Sequence, residues 1–106
     1  MNPSDTIKRT AEQLAERVRA RQDEAERLHG GRCWACREDT QDFIEAAGLS
    51  KVEPVQPGPC PLRHFIGHVS LSFRLASNLP ARRAAAIERR LWAQFPGARD
   101  DVKGAA

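Results

Sequence analysis

The sequence predicts a small, mainly α-helical domain. Its 106 residues suit a single domain, and apolar residues recur at helical spacing towards both ends of the chain. Between these segments lie all three cysteines, with a histidine four residues after the last of them. We therefore expect a long N-terminal helix and a basic C-terminal helix. A Cys3His metal centre, treble-clef-like or zinc-ribbon-like, should join them.

The first predicted helix runs to about Leu28 and ends at Gly30-Gly31, because glycine pairs terminate helices. Its apolar positions keep a 4-3-4 spacing except at Arg21, which stands where an apolar residue is expected. Because the seam is narrow and contains two alanines, we expect it to pack against one neighbour, in this chain or in a partner. The seam consists of Ile7, Ala11, Leu14, Val18, Ala25 and Leu28.

The cysteines have the spacing of a tetrahedral metal site. Cys33 and Cys36 form a Cys-x-x-Cys turn, which lets two thiolates converge on one ion, and Cys60 and His64 supply two further ligands. If Pro61 is the first helical residue, Cys60 caps that helix and His64 lies one turn later. The sequence therefore predicts Zn²⁺ bound by these four side chains.

Three other interpretations of the cysteines stay open: buried small apolar residues, a redox Cys-x-x-Cys pair, and an iron–sulfur cluster with three thiolates and a histidine. The cysteines cluster in one third of the chain, and no βαβ pattern surrounds the pair, so zinc is favoured. His68 and His29 are reserve ligands, since each lies four residues from a predicted ligand.

The centre of the chain also carries predicted elements of its own. A short helix should run from Asp39 or Thr40 to about Ala47, followed by a stiff, proline-rich loop over residues 50–59. Residues 61–78 fit both an amphipathic helix and an alternating strand. Their length favours the helix, and a strand would instead indicate a ribbon or hairpin.

Residues 80–95 predict the last helix, which Pro96-Gly97 ends. One face carries Ala84, Ile87, Leu91 and Phe95. The opposite face carries Arg82, Arg83, Arg89 and Arg90. The domain is expected to span residues 1–97, with residues 98–106 as a small, polar, flexible tail.

Charge is distributed unevenly along the chain. Residues 1–53 contain nine Lys or Arg and eleven Asp or Glu, whereas residues 54–99 contain seven Arg and a single acid, Glu88. Guanidinium groups bind phosphate through paired donors, so the arginine-lined helix predicts contact with nucleic acid or with an acidic protein surface. The alternative is a regulator or adaptor that docks on a larger protein through the apolar seam of the first helix.

The sequence gives little indication of an enzyme. A metal with four protein ligands lacks the open position that catalytic zinc keeps, and no common catalytic motif is present. No apolar run approaches membrane-spanning length, and the N-terminus lacks the apolar region of a signal peptide. We therefore expect a cytoplasmic protein without a membrane partner.

Overall fold

The computed structural model describes residues 3–34 and 58–98, which form three helices. These are α1 (Pro3–His29), α2 (Leu62–Ala76) and α3 (Ala81–Ala93). The described residues contain no strand, which confirms the mainly helical prediction. No helix in these two segments is both long and apolar enough to cross a membrane. The short helix predicted near Ala47 lies outside the described residues.

The core forms where α1 packs against both other helices. Leu14 and Val18 of α1 are buried, as the seam predicted, and Ala15 is buried beside them. Leu28 is 54% exposed, so the apolar seam ends before the helix does. The expectation of a single neighbour was wrong, because α1 packs against both other helices, and Ala15 makes its buried face wider than the predicted seam.

Residues 61–78 adopt the helical alternative. In a strand, Val69, Leu71, Phe73 and Leu75 would all lie on one face. In α2 their exposures diverge instead, since Val69 is 1% exposed and Leu75 is 77% exposed. The six consecutive residues His64 to Val69 are buried, so the first half of α2 is enclosed by the rest of the domain.

Helix α3 buries the predicted apolar face, with Ala84, Ile87 and Leu91 inside the core. Phe95 follows the helix, and the Arg19 guanidinium carbon of α1 lies 5.2 Å from the centroid of its ring. Ala98 is also buried in the core cluster, so packed residues extend one position beyond the predicted boundary at 97. Residues 99–106 lie outside the described residues.

Glu88 links α2 to α3. It accepts a hydrogen bond of 2.6 Å from the Ser70 hydroxyl and forms an ion pair with Arg74.

Glu88→Ala should therefore lower the free energy of unfolding by about 1 kcal/mol, since partly exposed contacts of this kind contribute little. Urea denaturation measures the change. Arg89→Ala, the adjacent exposed position, serves as the control and should change stability by less than about 0.5 kcal/mol.

Candidate metal centre

The turn that ends α1 places Cys33. Gly30 and Gly31 both have left-handed backbones, with φ of 64° and 92°, which side chains disfavour. The N–H of Gly31 donates to the carbonyl of Ala25 at 2.9 Å and so closes the helix end. The chain turns back at this point, and Cys33 is buried at 3% exposure.

Gly31 also brings the segment before α2 against the end of α1. A Cβ atom on Gly31 would lie 2.9 Å from the Cβ of Pro59, so only glycine allows this approach. The carbonyl of Gly31 accepts the Cys60 N–H at 3.0 Å, and the Cys33 N–H donates to the Cys60 Sγ at 3.2 Å. Backbone contacts therefore hold the two cysteines side by side.

The start of α2 places His64 next to them. Pro61 has an extended backbone, with ψ of 154°, and is the N-cap, so the helix begins at Leu62. The prediction that Cys60 caps the helix was wrong by one residue, because the helix starts after the proline and not with it. The His64 N–H donates to the Pro61 carbonyl at 3.0 Å, which fixes this histidine in the first turn.

Cys33, Cys60 and His64 form a three-ligand group. One ligand atom from each lies within 4.8 Å of the other two, and no other set in the described segments meets this condition. The two sulfur atoms are 3.5 Å apart, too far for a disulfide bond of about 2.05 Å. Thiolates about 2.3 Å from a tetrahedral zinc ion would be roughly 3.8 Å apart. The observed separation is close to that value, so the group can hold a metal ion.

His68 adjoins the three-ligand group one turn further along α2. Its Nε2 lies 3.0 Å from the Cys33 Sγ, and its side chain is 2% exposed. Burial lowers the pKa of His68 from 6.5 to about 4, and the nearby His64 acts in the same direction, while Cys60 opposes the shift. The imidazole is therefore neutral at pH 7, which is the form that binds metals.

The remaining predicted ligands have different outcomes. Cys36 lies outside the described residues, so its assignment stays a prediction. His29 lines a cavity of about 70 Å³ together with Cys33 and His68, but it is not part of the three-ligand group. Trp34 lines the same cavity, with its ring centroid 6.3 Å from that of His68. It is 43% exposed, so it covers the centre only in part.

The donor set determines what the centre can bind. Two cysteine sulfurs and an imidazole nitrogen suit soft and borderline metal ions such as zinc, whereas magnesium and calcium require oxygen ligands. Each donor comes from a backbone that other contacts already fix. A metal bound here would therefore tie the end of α1 to the start of α2, and the three donors leave one coordination position for a further ligand.

The four arginines predicted to face solvent on the last helix do so. We call Arg82, Arg83, Arg89 and Arg90 the arginine surface. All four are exposed, while Ala84, Ile87 and Leu91 face the core. The arginine surface is thus presented to solvent by a helix whose orientation the core fixes.

Comparisons with known proteins give no relative for this chain. No family model matches it, and neither a curated protein nor a solved structure is significantly similar to it.

Proposed function

We propose that this protein is a small zinc-binding module that contacts nucleic acid through the arginine surface. The metal assignment rests on one observation, the convergence of Cys33 with Cys60 and His64 from a later part of the chain. Zinc is the ion that tetrahedral sulfur and nitrogen sites of this size most often hold. It has a structural role here, because its ligands lie at the junction of two helices.

The ligands Cys60 and His64 lie at the start of a helix, α2. This placement favours a treble-clef-like centre over a zinc-ribbon-like one, in which a hairpin would carry the pair. The metal then joins a turn after α1 to the first turn of α2. A chain of this size buries a limited core, so such a link contributes directly to folding.

Nucleic acid is the partner that the arginine surface fits best. Two pairs of adjacent arginines, Arg82-Arg83 and Arg89-Arg90, lie seven residues apart, which is about 10 Å along a helix. The acid nearest to them on this helix, Glu88, is already paired with Arg74 of α2. A row of exposed guanidinium groups of this length matches successive phosphates of a polynucleotide backbone.

An acidic protein surface is the second candidate, since the same positive charges would attract it. Docking on a larger protein through the apolar seam of α1 is a weaker candidate, because the central seam residues are not exposed. Leu14 and Val18 are buried against the other helices of this chain, so a partner has no access to them.

Charge reversal tests the proposal. Arg83→Glu combined with Arg90→Glu should weaken binding to duplex or single-stranded nucleic acid by about tenfold or more, because phosphate contacts are replaced by repulsion. Binding is measured by fluorescence anisotropy at several salt concentrations, and the wild-type affinity should fall steeply as salt rises. Zinc content and melting temperature should stay unchanged, since both positions are exposed.

A matched double variant distinguishes binding through the arginine surface from a general effect of the protein's net charge. Arg9→Glu with Arg17→Glu makes the same change at exposed positions of α1. If both double variants lose affinity equally, attraction is general and the arginine surface is not the binding face. Absence of wild-type binding at low salt to either form of nucleic acid would leave the acidic protein surface as the better candidate.

A further inference from the structure

We propose that His68 is the fourth protein ligand, so that two cysteines and two histidines hold the metal. This inference rests on the proposed metal site and assigns its remaining position. The Cys33 side chain contacts both His68 and Cys60. Its Sγ is 3.0 Å from His68 Nε2 and 3.5 Å from Cys60 Sγ. A sulfur and a nitrogen bound to one tetrahedral zinc ion would be roughly 3.6 Å apart.

The spacing of the two histidines supports a shared ion. His64 and His68 are separated by one helical turn, and side chains at this spacing lie on the same helix face. Histidine pairs of this kind bind zinc in helical metal sites. The ring centroids are 6.4 Å apart, compared with roughly 5 Å for two imidazoles on one tetrahedral ion. The His68 nitrogens do not lie within 4.8 Å of every donor of the three-ligand group, so the proposal requires the His68 ring to move towards the ion when the metal binds.

Burial of the centre favours this ligand set on electrostatic grounds. Cys33, His64 and His68 are all less than 6% exposed. Two thiolates and two neutral imidazoles balance the charge of Zn²⁺, whereas three thiolates and one imidazole would leave a net negative charge. Because a net charge in a buried position is costly, charge balance supports the set with two histidines. Cys36 then has no coordinating role.

Cobalt substitution tests this assignment, because Co²⁺ takes zinc's place and its thiolate charge-transfer absorbance scales with the number of bound cysteines. We expect Cys36→Ser to keep the wild-type spectrum and to change cobalt affinity by less than about threefold. His68→Ala should weaken cobalt binding by about a hundredfold or more, since a ligand is lost. His68→Cys should raise the charge-transfer absorbance by about half, as a third thiolate binds.

His68→Cys distinguishes the loss of a ligand from simple unfolding, because the cysteine can still bind the metal. A purely structural His68 would leave the absorbance of this variant at the wild-type level per bound ion. A one-third loss of absorbance in Cys36→Ser would show that Cys36 is the fourth ligand and overturn the assignment. In that case the proposed metal site would stand, because the wild-type protein would still bind cobalt through thiolates. Failure of the wild-type protein to bind cobalt would reject both the metal site and the assignment of His68 as its ligand.

Discussion

Cys60→Ser is expected to yield protein without stoichiometric zinc and with a much less stable fold. Cys60 is in contact with Cys33 and lies beside the first turn of α2, so its loss removes a ligand at the centre of the site. Serine still accepts a hydrogen bond from the Cys33 N–H, so the local backbone contact can persist. The change therefore acts chiefly through the metal. Structural zinc contributes roughly 10–16 kcal/mol of binding free energy in small domains, and that free energy also stabilises the fold.

Elemental analysis of freshly purified protein measures the zinc, and thermal denaturation followed by circular dichroism measures the fold. Cys33→Ser and His64→Ala should behave like Cys60→Ser, because they remove the other members of the three-ligand group. His29→Ala is the matched control, since His29 lines the neighbouring cavity without belonging to that group. Full zinc occupancy in the Cys60→Ser protein would contradict the site.

The sequence predicted α1 and α3 well because their signals are local, whereas it left residues 61–78 open between a helix and a strand. The apolar spacing of α1 and the stop at Gly30-Gly31 correspond to a helix that ends at His29. The arginine and apolar faces of α3 depend only on helical periodicity, so both were identified correctly. What the periodicity could not show is how many helices cover α1. That number depends on which residues pack across the interface, and the buried Ala15 lies outside the seam that the spacing identified.

The candidate site was predicted only in outline, because its details depend on contacts between distant residues. Spacing identified Cys33, Cys60 and His64, which the structure brings together. No local pattern signals that Gly31 must be glycine to admit Pro59, which lies 28 positions later. The 3.0 Å contact between Cys33 and His68 likewise joins residues 35 positions apart. Histidine spacing within α2 made His68 a reserve ligand, but only the packing of α2 shows which cysteine it meets.

Leu91→Ala should destabilise the fold strongly without touching the metal centre. Leu91 lies on α3, is completely buried and belongs to the core cluster that contains residues of all three helices. Removing its outer carbons loses their transfer free energy and leaves a cavity, which together cost about 2–5 kcal/mol. Such a loss is a large part of the total stability of a domain of this size, roughly 5–15 kcal/mol.

Leu75→Ala is the matched comparison, because it makes the same chemical change on α2 at a side chain that is 77% exposed. It should alter the free energy of unfolding by less than about 0.5 kcal/mol. Urea denaturation of the zinc-loaded proteins, at equal metal and protein concentrations, measures both values. Zinc stoichiometry should remain unchanged in Leu91→Ala protein that is still folded, because Leu91 is not among the ligands. Equal losses in the free energy of unfolding for the two leucine variants would mean that α3 does not pack on α1 and α2 in solution. Only that packing distinguishes the two positions.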